Sequence, residues 1–152
     1  MRKILMMKFN TVVLSIILLM LFAARGLEGQ NVEVIVTGIR SDKGQIAVGV
    51  FLDDKSFQEE KAFLEMKFQK DEITGETMTF SLNLEPGVYG LSLLDDVNSD
   101  GRMEYGKLGI PKEGFGFSDY YHTGFKRPKF DSFRFTVLEG QVKKITVRMK
   151  YF

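Results

Sequence analysis

The chain has no cysteine and a single histidine, His122. The first absence removes disulfides, thiol nucleophiles and cysteine-bound zinc; the second removes any multi-histidine zinc centre. A serine triad would have to pair His122 with a residue such as Ser118, and no nucleophile-elbow pattern surrounds that serine. Charge of one sign is also lacking, since 21 basic residues stand against 20 acidic ones. Repeats, low-complexity tracts and linkers are missing as well, which argues for one domain. Such a domain must be held by its hydrophobic core or by a metal bound through oxygen.

Long apolar runs are scarce. The one present, Val12 to Ala24 interrupted by Ser15, follows a basic start (Arg2, Lys3, Lys8) and precedes small residues. That is the three-part pattern of a secretory signal peptide, and the run is shorter than the roughly 20 residues that span a bilayer. We expect residues 1–26 to be the signal, with cleavage between 26 and 30, and no membrane span after cleavage. No cysteine follows the run, so a lipid anchor is excluded. Cleavage after Gly26 removes four of the 21 basic residues and no acid, leaving 17 against 20 and a net charge of −3. Nucleic acid is therefore not an expected partner. An exported chain without disulfides fits a bacterial periplasm, cell surface or extracellular location.

Residues 31–152 read as short alternating strands separated by turn signals. "NVEVIVTGI" and "GQIAVGVFL" flank "RSDKG" and predict a hairpin. "ETMTFSLNL" and "VYGLSLLDD" flank "EPG" and predict a second, with Tyr89, Leu91 and Leu93 on one face. "SFRFTVLEG" and "QVKKITVRMKYF" predict a third, turned at Glu139-Gly140, with Phe133, Phe135 and Val137 alternating in its first arm. Between the first two, Phe57, Phe63, Leu64 and Phe68 are expected to line one side of a short helix or an irregular flap. The expected fold is all-β: an antiparallel β-sandwich, immunoglobulin-like or transthyretin-like, with one long Gly- and aromatic-rich loop from Asn98 to Arg127.

That loop opens with D-x-N-x-D-G-x-x-E: Asp96, Asn98, Asp100, Gly101 and Glu104. The spacing matches the first nine positions of a calcium loop, with the Arg102 carbonyl at position seven and Gly101 at the sharp turn. Position twelve is Lys107, which cannot ligate a cation, so any calcium would bind weakly and need Asp95 or Glu113 as a further ligand. The alternative is a self-bonded turn, because Asp, Asn and Gly are also the residues that make turns. Calcium apart, no cofactor is implied.

"YGLSLLDDVNSDGRMEYGKLGIPKEGFGFS" followed by "RPKFDSFRFTVLEG" resembles the bacterial domain-of-unknown-function 2141 family. Its hallmark is a strand ending in D-x-N-x-N/D-G, then G-x-P-x-E-G-x-G-F-S, then P-x-F. Gly109, Pro111, Glu113, Gly114, Gly116, Phe117 and Ser118 match the central run, and Pro128 and Phe130 the last. Glu104 stands where the family pattern would have Asp. The resemblance implies an exported sandwich-like domain and carries no catalytic residues.

Other chemistry is thinner. Glu113, Phe115, Phe117, Tyr120 and Tyr121 are candidate ligand-binding residues, because rings on a glycine-shaped loop beside an acid can form a platform for carbohydrate or protein. The alternative is that the loop folds back and buries the rings. "GFKRPKF" sets Lys126, Arg127 and Lys129 among Phe125 and Phe130, either to attract an anionic polymer or as a turn over two core phenylalanines. The functional expectation is a binding or structural module rather than an enzyme. The alternative is a secreted hydrolase acting on carbohydrate through acids such as Glu104 and Glu113.

Overall fold

The structure is a computed structural model that describes residues 31–152; the expected signal peptide and its cleavage site lie outside them. Eight strands run in chain order: β1 (Val32–Thr37), β2 (Gln45–Phe51), β3 (Leu64–Gln69), β4 (Thr77–Leu82), β5 (Gly87–Asp96), β6 (Gly114–Phe117), β7 (Arg134–Val137) and β8 (Lys143–Arg148). One short helix, α1 (Asp54–Gln58), follows β2. The strands form two sheets, one in the order β4-β1-β8 and one in the order β3-β2-β5-β6, with β7 also paired to β5.

The alternating residues close between the sheets. Val32, Val34 and Val36 of β1 face Ile46, Val48 and Val50 of β2 across a core completed by Phe80, Leu91, Leu93, Val137, Ile145 and Val147. Phe68 of β3 stacks on Phe80 of β4 at a centroid separation of 3.9 Å and covers one open side. The all-β sandwich is thus as expected, with one parallel pairing, β1 with β8, in an otherwise antiparallel structure.

None of the three expected hairpins forms. β1 and β2, β4 and β5, and β7 and β8 each divide between the two sheets, so all three turns cross from one sheet to the other. Alternation identifies which face of a strand is buried and says nothing about which strand it bonds to. Gly44 shows how tight one crossing is: it sits at φ +76°, and a Cβ there would lie 2.1 Å from the Asp96 carbonyl oxygen. The expected helix or flap is also divided, into α1 and β3. Phe57 alone of its four residues is buried, while Phe63 and Leu64 are exposed and Phe68 is half-buried.

The long loop is interrupted by β6, which carries no polar–apolar alternation. Its sequence is Gly-Phe-Gly-Phe, with the glycines turned inward. A Cβ on Gly114 would lie 2.3 Å from the Tyr151 ring, and one on Gly116 would lie 2.5 Å from Val147. Phe115 and Phe117 therefore point outward. β6 and β7 lie end to end along β5, pairing with Ser92–Asp95 and Gly87–Gly90 respectively. Ser118 joins them: its Oγ accepts from the Leu91 amide at 2.9 Å and donates to the Phe133 carbonyl at 2.5 Å.

The inward register of β5 continues from Leu93 to Asp95, placing a carboxylate at the end of the core. Lys70 pairs with it, and both side chains are fully buried. The Lys70 ammonium also donates to the carbonyls of Ser41 and Lys43, at 3.1 and 2.7 Å. The Tyr151 hydroxyl donates to the second Asp95 oxygen and accepts from the Arg40 amide. Burial, then the Asp95 carboxylate, pushes the Tyr151 phenol well above its ordinary range. Removing one member of a buried pair leaves an uncompensated charge, so Lys70→Met should cost about 3 to 5 kcal/mol in denaturant unfolding. Lys70→Met combined with Asp95→Leu should recover most of that loss, and equal losses in the two variants would contradict the assignment.

Candidate functional site

Asp96 follows Asp95 and points to the opposite face, where it anchors the acidic loop. Its Oδ1 accepts from the Asp100 amide at 3.0 Å and its Oδ2 from the Gly101 amide at 2.8 Å. Gln45, its cross-strand partner in β2, donates to Oδ2 at 2.6 Å. Asp100 Oδ1 accepts from the Arg102 amide at 2.8 Å. Asn98 Oδ1 accepts from the Asp100 amide at 3.1 Å, which turns the Asn98 NH₂ group toward Asp100 Oδ2 and Glu104 Oε1, at 3.1 and 3.3 Å. Lys112 Nζ lies 3.6 Å from the other Glu104 oxygen.

Glu113 closes the loop from its far end. It accepts from the Val97 amide at 3.2 Å with one oxygen and from the Glu104 amide at 3.3 Å with the other. Burial raises its pKa above the ordinary carboxylate value; these two amides oppose the shift, and the nearby Asp96 and Asp100 charges add to it. Asp95, the other suggested extra ligand, faces the core and is held by Lys70 and Tyr151. Among the described residues, no group of three or more His, Cys, Asp or Glu side chains is placed to hold a metal ion.

The acidic loop forms one wall of a cavity of about 1140 Å³ on the outer face of the β3-β2-β5-β6 sheet. Its floor is made of outward residues, the small Ala47 and Gly49 of β2 and Ser92 of β5, together with Leu94 of β5. One wall carries Arg102, Met103, Tyr105, Leu108 and Ile110; the opposite wall carries Phe51, Phe57, Phe117, His122 and Phe125. Asp53 caps α1 through the Ser56 amide at 2.7 Å, and α1 places Phe57 among Phe51, Phe117, Phe130 and Phe133 in a second hydrophobic cluster. Arg127 donates to the Gln58 carbonyl at 3.1 Å and pairs with Glu60, fastening the second wall to α1.

The aromatic candidates separate by depth. Phe117 is buried, Phe115 and Tyr120 are half-buried, and Tyr121 is exposed under the guanidinium of Arg148, 4.6 Å from its ring centre. Phe115 and Phe117 line the cavity; Tyr120, Tyr121, Glu104 and Glu113 do not. Of the two phenylalanines in "GFKRPKF", Phe130 is core and Phe125 is 94% exposed. Sequence reasoning passed over the floor, Ala47, Gly49, Ser92 and Leu94, and the wall residues Tyr105, Leu108 and Ile110. The one available signal was the run of small residues at outward positions of two central strands.

Ser118 and His122 do not form a catalytic pair, because both bonds of the Ser118 hydroxyl are to backbone groups. His122 is buried against Phe115, Phe117 and Tyr120, and its Nδ1 has no hydrogen-bond partner. Burial lowers its pKa below 6.5 and the Lys150 charge adds to the shift, while backbone hydrogen bonds with Lys126 and Gly124 oppose it. The fold therefore favours the neutral imidazole, and the unfolded chain binds the proton more readily. Stability should be complete above about pH 6.5 and decline as pH falls below it. Glu113, with its pKa raised above 4.5, acts in the opposite sense and regains stability as it protonates. Melting temperature measured from about pH 7 down to about pH 5.5 should fall in the parent and stay nearly level in His122→Phe; parallel curves would contradict the assignment.

The model of a family described as "Uncharacterized protein conserved in bacteria (DUF2141)" matches residues 34–146. No curated protein and no solved structure matches the chain. The matched segment spans β1 to β8 and takes in the acidic loop, the Gly-Phe-Gly-Phe strand and Ser118. The chain belongs to the bacterial domain-of-unknown-function 2141 family.

Proposed function

We propose that this chain is an exported binding module whose ligand lies in the trough on the outer face of the β3-β2-β5-β6 sheet. The observation that carries the reading is the cavity of about 1140 Å³, floored by Ala47, Gly49, Ser92 and Leu94, with Glu65 and Lys67 of β3 beside them, and walled mainly by apolar and aromatic side chains with Glu60, Arg102 and Arg127 among them. Small-molecule sites are usually concave and mostly apolar, with volumes on the order of 300 to 1,000 Å³. Export rests on the N-terminal pattern of residues 1–26. The carbohydrate hydrolase reading has less support, because both Glu113 oxygens already accept backbone amides and neither Glu104 nor Glu113 lines the trough.

The fluorescent dye 1-anilinonaphthalene-8-sulfonate, an apolar ring system with one anionic group, is a suitable probe. The parent should bind it saturably. Ser92→Phe, which fills the floor from an outward position, should weaken binding by about tenfold or more with the melting temperature preserved. Unchanged dye affinity in that variant would overturn the trough reading.

For the loop of Asp96, Asn98, Asp100, Arg102 and Glu104 we propose the self-bonded turn, with calcium as the competing reading. The Asn98 amide group sits between Asp100 and Glu104, supplying the positive end that a bridging cation would otherwise provide. Calcium at tens of millimolar should then shift the melting temperature no more than magnesium does. Asp100→Ala should lower stability by about 1 kcal/mol, through loss of its bond to the Arg102 amide. A calcium-specific rise of several degrees, abolished by Asp100→Ala, would favour the cation instead.

A further inference from the structure

Two side chains on the rim of the trough are almost wholly in water. Leu108 is 96% exposed and Phe125 is 94% exposed. Leu108 lies at φ +64°, a left-handed conformation that disfavours a bulky L-residue, so the chain holds an apolar side chain outward against both its solvation and its backbone preference. The two residues sit on separate loops, and both line the same cavity. Cations stand close to each in sequence: Lys107 and Lys112 near Leu108, and Lys126, Arg127 and Lys129 after Phe125, with Lys112 paired to Glu104 and Arg127 to Glu60. Lys107, Lys126 and Lys129 have no ion-pair partner among the described residues.

We propose that this rim docks on the surface of an anionic lipid bilayer, with Leu108 and Phe125 entering the acyl boundary and the surrounding lysines meeting lipid phosphates. Apolar tips with unpaired lysines beside them in the chain match the layered chemistry of that surface, apolar below and negatively charged above. A second copy of the chain fits poorly, because two lysine-bearing rims would oppose like charges. A neutral carbohydrate would leave the lysines unused. Two tips on separate loops also suit a fluid surface better than a shaped protein pocket. The interaction requires no ligand in the trough and stands apart from the reading proposed above.

Both sheets and their core are built from residues 31–152, so that segment is the protein to test, and it keeps the apolar Val12–Ala24 run out of the assay. It should co-sediment with vesicles of phosphatidylcholine and phosphatidylglycerol, and bind vesicles of phosphatidylcholine alone about tenfold more weakly or less. Leu108→Gly relieves the left-handed backbone and should melt no lower than the parent, yet its partition to anionic vesicles should fall about tenfold; Phe125→Ser should fall comparably. The chain has no tryptophan, so Phe125→Trp supplies a single reporter whose emission should shift to the blue on binding and be quenched by brominated acyl chains. Absence of binding, equal binding to neutral and anionic vesicles, or binding that survives loss of both apolar side chains would each overturn the proposal. The last result, with competition by a soluble polyanion, would identify charge-only adsorption instead.

Discussion

Two consecutive carboxylates end β5, and because neighbouring strand residues point to opposite faces, they organise opposite sides of the molecule. Asp95 turns into the core, where burying its charge is tolerable only because the Lys70 ammonium and the Tyr151 hydroxyl meet it. Lys70 directly follows β3, and Tyr151 follows β8, so this contact ties an end of each sheet to one strand. Asp96 turns outward and is equally buried, held by Gln45 and by the amides of Asp100 and Gly101. The acidic loop thereby becomes a fixed wall.

The wall encloses a space only because the sheet beneath it is thinly covered. Ala47 and Ser92 leave a shallow floor, whereas the neighbouring part of the same face, from the Phe51 ring over Gly49 onward, is filled by Phe51, Phe57, Phe117, Phe130 and Phe133. The divided fourth strand serves the same end. Ser118 supplies the donor and acceptor that the gap between β6 and β7 would otherwise leave unmet opposite Leu91, so the chain can leave the sheet after Phe117 and build the second wall.

The fold class and most core positions were legible in the residues, since Val32, Val34, Val36, Tyr89, Leu91 and Leu93 show their burial in their spacing. Strand partners were not: three turns that look like hairpin turns carry the chain between sheets, and partner choice depends on contacts distant in sequence. β6 escaped notice because its inward residues are glycines, chosen for the bulk of Tyr151 and Val147 above them rather than for any pattern of their own. The acidic loop was legible as a motif and was left open between two roles. Its backbone amides, which no side-chain spacing displays, occupy the carboxylates of Asp96, Asp100 and Glu113. The aromatic segment was legible as mixed core and platform, but the trough was not, because a cavity is defined by the small residues that leave space.

The central claim is that the working surface of this chain is the outer face of the β3-β2-β5-β6 sheet. Amide chemical-shift mapping by NMR during titration with decanoate below its micelle concentration tests it most directly, since a single-chain carboxylate carries an apolar body that matches the trough and an anionic end that matches the lysines of its rim. The account predicts saturable shifts at Ala47, Gly49, Ser92 and Arg102 and along the segments 107–110 and 122–127. Glu33, Ile35, Thr79 and Thr146, on the outer face of the other sheet, should not move. Shifts gathered on that second face would contradict it, as would no saturable shift at all.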